Sequence, residues 1–217
     1  MRRRPSPGAP RSHRDPSRTA VTSRGVETKT KVKPAAGPLI LATDASIAAE
    51  HVSSGYIATS GHGGLHAHRY PRHLADPKAR TAVGELRAVD CGLRAVLAAH
   101  PGQPVEVRVD SMAALHFLRN WHSGGTRMPD GYSTAARAQG GAPTLVKLCH
   151  RVQQAAPLLT FVHEKAHVGH PLNEVADSLA KLGLRTLRGD VPRGELPRLV
   201  ALWTERTLAD YRPARAD

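Results

Sequence analysis

Residues 163–181 read HEKAHVGHPLNEVADSLAK, and this stretch decides how the rest of the chain is interpreted. It starts at the end of LLTFVH (158–163), a short apolar run typical of a strand. EKAHVGHP (164–171) is turn-rich, and LNEVADSLAKLG (172–183) repeats its apolar residues at helical spacing. The stretch therefore predicts a strand, a histidine-containing loop and a helix in succession.

The chain before this stretch predicts further strands and helices. Three β-rich runs separated by polar turns predict an antiparallel meander: LILATDAS (39–46), SGYIATS (54–60) and LHAHRY (65–70). Helical spacing follows from Thr81 to about His100, then a strand, VEVRVD (105–110), and two helices, SMAALHFLRNW (111–121) and TLVKLCHRVQQA (144–155). The Gly-rich segment 122–142 between those helices is predicted to be a loop, with a short helix inside it as an alternative. The predicted order βββαβα(α)αβα is that of a mixed α/β domain.

Composition divides the chain into three parts. Residues 1–37 contain no Phe, Trp or Tyr and many Pro, Ser and Gly, so they are predicted to be a disordered basic tail. An organellar transit peptide is the alternative for this Arg- and Ser-rich start, although its prolines oppose an amphipathic helix. Residues 38–185 contain the predicted α/β elements and are predicted to form the folded domain. Residues 186–217 are a C-terminal extension, for which a helix from Leu196 to Tyr211 is predicted.

The formal net charge of +13 indicates a polyanionic partner, because clustered Lys and Arg displace counterions from phosphates. Ten basic side chains against Asp15 and Glu27 place +8 of this charge in residues 1–37, which we therefore expect to bind nucleic-acid backbone. Cys91 and Cys149 are too few for a disulfide framework or a four-cysteine zinc site. This low cysteine content fits a reducing, intracellular compartment, and we expect a cytoplasmic location and a monomer. No apolar run is long enough for a membrane span, so we expect a soluble protein without a membrane partner.

Four carboxylates stand where apolar residues or turns are expected. Glu85 shares a helix stripe with Val89 and Leu93, and Asp44 and Asp110 each end a short apolar strand. Asp177 borders the apolar face of the last predicted helix of the domain. Each also has a structural explanation: a favourable helix-dipole contact for Glu85, turn initiation for the two strand-end acids, and a solvated helix flank for Asp177.

Taken together, the four acids describe a site for a hard cation. Oxygen-only ligands suit Mg²⁺ or Mn²⁺, with phosphate oxygens and water completing the coordination. If the strands that end at Asp44 and Asp110 are neighbours, their carboxylates meet and either raise a pKa or require a metal. Such a site indicates phosphoryl transfer.

Residues 163–181 closely resemble the pattern H-x-G-H-x-x-N-E-x-A-D-x-L-A of type 1 ribonuclease H. Other parts of that family's layout occur in the same order: DAS at 44–46, Gly55 with Tyr56, GEL at 84–86 and VDS at 109–111. The resemblance covers roughly residues 38–185. It implies a ribonuclease H-like α/β fold: a five-stranded mixed sheet, its first three strands antiparallel, flanked by helices on both sides.

The resemblance also implies an activity and a set of site residues. It implies an endonuclease that hydrolyses the RNA strand of RNA–DNA hybrids and leaves 5′-phosphate and 3′-hydroxyl ends. Asp44, Glu85, Asp110 and Asp177 would hold two Mg²⁺ ions, with Mn²⁺ as the alternative. His167 would assist proton transfer or product release from its loop, and His170 would hold that loop. The substrate contacts implied by position are Ser46, Thr81, Ser111 and Asn173.

Three features depart from the family pattern. Glu50 and Ala82 occupy positions where many relatives carry a substrate-contacting Asn, and an acid beside phosphates is repulsive. The segment 122–142 replaces a strongly basic helix of some relatives and retains Arg127 and Arg137 as its cations. Two other classes of protein remain for comparison: a non-catalytic nucleic-acid binder, which would lack one of the four acids, and a resolvase- or integrase-like nuclease, which would lack HVGHPLNEVAD.

Overall fold

The computed structural model describes residues 25–32, 37–70, 74, 76–137, 141–165 and 169–212. A six-stranded mixed sheet forms the centre of this part of the chain, in the order β1-β4-β3-β2-β5-β6. The strands are β1 (Val26–Lys29), β2 (Leu39–Ala48), β3 (His51–Ala58), β4 (His62–Arg69), β5 (Val105–Val109) and β6 (Leu159–His163).

Strand β2 lies in the middle of the sheet, antiparallel to one neighbouring strand and parallel to the other. It pairs antiparallel with β3 along its whole length, from Leu41↔Ala58 to Ala48↔His51. On its other side it pairs parallel with β5 over four residues, and this pairing ends at Ala42↔Arg108. The last six residues of β2 therefore have no partner on the β5 side, which opens the edge of the sheet there.

Five helices cover the sheet, and local capping determines where several of them begin and end. The Asp76 side chain accepts hydrogen bonds from the backbone N–H of Lys78 and Ala79, with Pro77 in the first turn, so α1 starts before the predicted Thr81. Gly189, at φ +87°, ends α4 in the left-handed conformation. The helices are α1 (Pro77–Ala99), α2 (Met112–His122), α3 (Thr144–Gln154), α4 (Pro171–Arg188) and α5 (Leu196–Asp210).

The two faces of the sheet bury separate apolar cores. Alternation along β2 sends Leu39 and Leu41 towards α1, α2 and α3, where the larger core lies around the fully buried Trp121. Ala42 points the other way, against Leu172 and Ala176 of α4. A sheet with helices on both sides is the α/β architecture that the sequence predicts, and the antiparallel arrangement of its first predicted strands is confirmed.

The sheet has one strand more than predicted. β1 (Val26–Lys29) lies inside the stretch 1–37 that was predicted to be disordered, and that prediction is wrong for these four residues. They pair antiparallel with β4, and Val26 packs with the apolar cluster under α5. Four mostly polar residues show no strand pattern in the sequence. They form a strand here because the existing sheet edge at β4 supplies their hydrogen bonds.

Helix α5 occupies most of the segment for which a helix from Leu196 to Tyr211 was predicted. Its buried Leu196 and Val200 pack with Leu65, Leu179 and Leu182, on the same face of the sheet as α4. Residues 123–137 of the Gly-rich segment contain no helix, so the short helix considered there is not found in this described part. No helix in the described residues has the length and apolarity that crossing a membrane requires.

Candidate active site

Three carboxylates converge at the open edge between β2 and β5. Asp44 and Asp110 each lie two residues beyond Ala42↔Arg108, the last parallel pair, and Glu85 reaches the same place from α1. One carboxylate oxygen from each residue lies within 4.8 Å of the others. The two strands that end in Asp are thus neighbours, which is the arrangement under which the sequence predicts that their carboxylates meet.

Burial and hydrogen bonding fix two of these side chains. Asp44 is 8% exposed and Glu85 is 4% exposed. The backbone N–H of Ala45 donates to Asp44 Oδ1 at 2.6 Å, and Glu85 Oε2 has no hydrogen-bond partner among the described residues. A buried carboxylate oxygen without a donor costs free energy, so this oxygen is suited to a ligand with positive charge.

The electrostatics of the cluster favour a cation in the same way. Burial, followed by repulsion from Asp110 and Asp177, raises the pKa of Asp44 from 3.8 to about 7. Burial, followed by repulsion from Asp44 and Asp110, raises the pKa of Glu85 well above its ordinary value. Both shifts have the same cause: like charges crowd together in a poorly solvated place, and a divalent cation would relieve the repulsion.

Asp177 lies beside this cluster without belonging to the group of three. It projects from α4, where Lys181, one turn further along, donates to Asp177 Oδ2 at 2.6 Å. The charge of Asp177 contributes to the raised pKa of Asp44, and the charge of Lys181 opposes that rise. The structure therefore brings three of the four predicted acids together and places the fourth nearby, paired with a lysine that sequence reasoning missed.

Two of the other predicted site residues, Thr81 and Ser111, make local hydrogen bonds in α1 and α2. Thr81, exposed on α1, donates from Oγ1 to the carbonyl oxygen of Pro77, and Ser111 caps α2 by accepting from the N–H of Ala114. Ser46 is half-buried on β2. Asn173 is buried in the first turn of α4, and its Oδ1 has no partner among the described residues. His167 lies outside the described residues.

The start of α4 is tied to β5. Arg108 donates from Nη1 to His170 Nε2 at 2.7 Å and to Glu164 Oε2 at 3.0 Å. His170 was predicted to hold its loop by hydrogen bonds, but its partner Arg108 was not identified from the sequence. The alternation of β5 was the available signal, since Arg108 shares a strand face with Asp110.

The two substituted positions of the family pattern differ in their surroundings. Glu50 is exposed and forms an ion pair with Arg69 at 3.2 Å, so part of its charge is already neutralised. Ala82 is 3% exposed and contributes to the packing of α1.

The fold and site define a class of α/β protein with a buried acidic cluster at the edge of a mixed sheet. The sequence model of the RNase H family matches residues 37–185. Because this match covers more than half of the 217 residues, the chain belongs to the RNase H family and is a ribonuclease, that is, a hydrolase. The resemblance found in the sequence is thereby confirmed.

Solved structures provide a second comparison. One match is LC11-RNase H1, an enzyme isolated from compost by a metagenomic approach, with 16% sequence identity and a TM-score of 0.43. The match covers 69% of this chain and 99% of that one. A search of curated proteins finds no match.

Proposed function

We propose that this protein is an endonuclease that hydrolyses the RNA strand of RNA–DNA hybrids with two divalent ions, Mg²⁺ or Mn²⁺, at the acidic cluster. The observation that carries the proposal is the approach of the Asp44, Glu85 and Asp110 oxygens to within 4.8 Å of one another. Membership of the RNase H family supports the substrate, since hybrid cleavage is the activity that gives the family its name.

The donor set fits a hard divalent cation. The three neighbouring ligands are carboxylates, and no cysteine or histidine belongs to this group in the described part of the chain. The unpartnered Glu85 Oε2 and the raised pKa of Asp44 show that the cluster is short of positive charge. Asp44, Glu85 and Asp110 would hold one ion, and Asp177 would contribute to the second together with Asp44.

The residues of the chain position the reaction. When bound, divalent ions supply positive charge that lowers the pKa of water and stabilises the charge developing on the phosphoryl group. The Ala45 N–H orients the Asp44 carboxylate, and burial of Glu85 limits competing hydration of its oxygens. His167 would assist proton transfer, as the family resemblance implies. Release of the ribose 3′ oxygen as leaving group gives 5′-phosphate and 3′-hydroxyl ends.

A cleavage assay tests the proposal directly. Labelled RNA–DNA hybrid, duplex RNA and duplex DNA would each be incubated with the protein in Mg²⁺, in Mn²⁺ and in EDTA. We expect cleavage of the RNA strand of the hybrid alone, dependent on the metal, with ends that accept ligation as 5′-phosphate and 3′-hydroxyl. Cleavage of duplex DNA, or of the hybrid in EDTA, would contradict the proposal.

The variant Asp110→Asn tests the acidic cluster. It removes one ligand charge at nearly constant side-chain volume, so the fold and hybrid binding should persist while cleavage falls at least a hundredfold, about 2.7 kcal/mol of transition-state stabilisation. Single-turnover rates in Mg²⁺ measure the effect. Asp130→Asn, an exposed position with the same charge change, is the matched control. More than a tenth of the original rate in Asp110→Asn would remove this residue from the ligand set.

A further inference from the structure

Helix α1 buries a second charged group, on a different side from Glu85. Arg87 is 9% exposed, and its Nη1 donates to Nε2 of His68 on β4. Arg87 forms no ion pair with an acid among the described residues, and its Nε has no hydrogen-bond partner there. A buried guanidinium without a counter-charge is costly, because its desolvation is not compensated.

The groups around Arg87 add donors and positive charge. Burial, followed by the charges of Arg87, His66 and Arg137, lowers the pKa of His68 to about 3, so His68 is neutral near pH 7. A neutral imidazole that accepts at Nε2 carries its proton at Nδ1, and this Nδ1 is also buried without a partner among the described residues. His66 lies alongside, with 5.2 Å between the two ring centroids. The unpartnered Nδ1 of His68 and the positive charge of Arg137 thus add to the unpartnered Nε of Arg87.

Asp90, one turn from Arg87 on α1, is also buried, but this acid is already paired with Arg151. Two short stretches that adjoin β4 and Arg137 in sequence lie outside the described residues, 71–75 apart from Leu74 and 138–140. Their sequences are Pro-Arg-His, Ala and Ala-Gln-Gly, which contain no Asp or Glu. No acid among the described residues pairs with Arg87, so a bound anion would supply its counter-charge.

We propose that Arg87, His68 and Arg137 form a subsite for a backbone phosphate of the nucleic-acid substrate. The planar guanidinium fork matches the geometry of phosphate oxygens, and an imidazole N–H supplies a further donor. Arg137 is exposed and belongs to the Gly-rich segment, so it can contact a phosphate from the solvent side. The subsite rests on the proposed function, because it assigns a contact of the same substrate.

The location of the subsite fits a duplex bound at the acidic cluster. His68 lies opposite Val52 of β3, and Val52 lies opposite Ile47 of β2, three residues beyond Asp44. Two strand spacings and three residues of rise separate the backbones of Asp44 and His68 by roughly 14 Å. At ~3.4 Å of rise per base pair, this is about four base pairs along a helix. The phosphate in the subsite is therefore not the scissile one.

Substrates with single uncharged linkages test the subsite. A set of RNA–DNA hybrids, each with one phosphate replaced by methylphosphonate, would be bound in EDTA by the wild-type protein and by Arg87→Met. We expect one position, several nucleotides from the cleavage site, at which the replacement weakens wild-type binding about tenfold. Arg87→Met should bind the unmodified hybrid about tenfold more weakly and show no further loss at that position.

Matched variants separate phosphate binding from a structural role. Arg94→Met removes a guanidinium from the same helix, but Arg94 is already paired with Glu27 at 3.3 Å, so all positions should stay sensitive. Arg137→Gln changes an exposed side chain and should fold normally, and it should reduce sensitivity at the same position as Arg87→Met. If Arg87→Met does not fold, Arg137→Gln decides the outcome.

Two results would overturn the proposal. The first is unchanged sensitivity at every position in the Arg87 and Arg137 variants, with lower thermal stability as their one defect. The second is a site for free phosphate. In that case inorganic phosphate would raise the thermal stability of the wild type but not of Arg87→Met, and binding of the hybrid would depend on Arg87 at none of the replaced linkages. Since binding is measured without cleavage, a failure of hybrid hydrolysis is detected separately.

Discussion

The ammonium of Lys181 competes for the carboxylates that a divalent ion would use. It donates to Asp177 at 2.6 Å and is 59% exposed, so it can leave this position without loss of packing. Its positive charge also opposes the rise in the pKa of Asp44. Lys181 is thus an internal counter-ion that a metal bound as proposed would have to overcome or displace.

Replacing Lys181 by Met should tighten metal binding. An exposed ion pair contributes about 0.2–1 kcal/mol, so the Mg²⁺ concentration for half-maximal cleavage should fall by up to about fivefold. A Mg²⁺ titration of the initial rate measures the change. Lys147→Met, an exposed position on α3 with the same change in net charge, is the control. An unchanged or higher Mg²⁺ requirement, or an equal shift in the control, would show that Lys181 does not compete with the metal.

The acidic cluster should make the stability of the metal-free protein depend on pH. The folded-state pKa of Asp44, about 7, lies above the ordinary value of 3.8, so between these values the folded state binds more protons than the unfolded state. The stability that Asp44 contributes as a neutral acid is present below about pH 4 and is lost as the pH rises to 7. Glu85 shifts in the same direction.

Asp44→Asn should therefore stabilise the metal-free protein at neutral pH. In EDTA, the free energy of unfolding of the variant should exceed that of the wild type by a few kcal/mol at pH 7.5, and the difference should become small near pH 4, since each pKa unit corresponds to ~1.36 kcal/mol. Urea denaturation at several pH values measures it. A difference that does not change with pH would contradict the raised pKa.

At the scale of elements, two glycine contacts determine how closely α4 approaches the sheet. A Cβ atom at Gly55 of β3 would lie 2.2 Å from the carbonyl oxygen of Ala176, and one at Gly183 of α4 would lie 2.0 Å from Ser53 Oγ. Gly55 is also the register partner of Asp44. The distance between α4 and β3 therefore sets how far Asp177 lies from the acidic cluster.

Gly55→Ala should separate α4 from β3. Because the neighbouring atoms are backbone, relief requires a movement of the helix, and we expect a loss of about 1–3 kcal/mol in the free energy of unfolding. Cleavage should fall as well, since Asp177 moves away from Asp44. Urea denaturation and single-turnover rates measure the two effects. Gly194→Ala is the control, since a Cβ there meets no atom within 4 Å. A fully stable and active Gly55→Ala protein would contradict this role.

At the scale of the whole molecule, the segments before and after the predicted domain meet at one edge of the sheet. β1 extends the sheet beside β4, and α5 packs over both β1 and α4. A deletion of residues 1–37 would consequently remove a strand along with the basic tail. Residues 1–24, which lie outside the described residues, carry seven arginines and Asp15, a formal charge of +6.

Deletion of residues 1–24 should weaken binding to any nucleic acid without changing which strand is cut. If about four of its arginines engage phosphates, the slope of log K against log salt should become shallower by about three to four units, at ~0.9 per contact. Hybrid affinity of the full chain and of residues 25–217 at several salt concentrations measures this. Equal slopes would mean that the segment serves another purpose. The monomeric state and the cytoplasmic location also stay predictions.

The sequence by itself predicted the local features: the strand that ends at His163, the helix that follows from Pro171, the α/β order and the acids that the structure brings together. These depend on short-range periodicity, capping and a fixed motif, all of which are readable within a window of about twenty residues. Glu85 was identifiable because a charge on an apolar stripe violates the helical pattern.

The tertiary structure alone decided which side chains meet. The early end of the β2–β5 pairing opens the site, Lys181 pairs with Asp177, Arg87 is buried against His68, and β1 forms on an existing sheet edge. Most of these contacts join segments distant in sequence, where no local pattern fixes the register or the packing. Burial then converts proximity into function, because charges brought together away from water shift one another's pKa values and require a counter-charge.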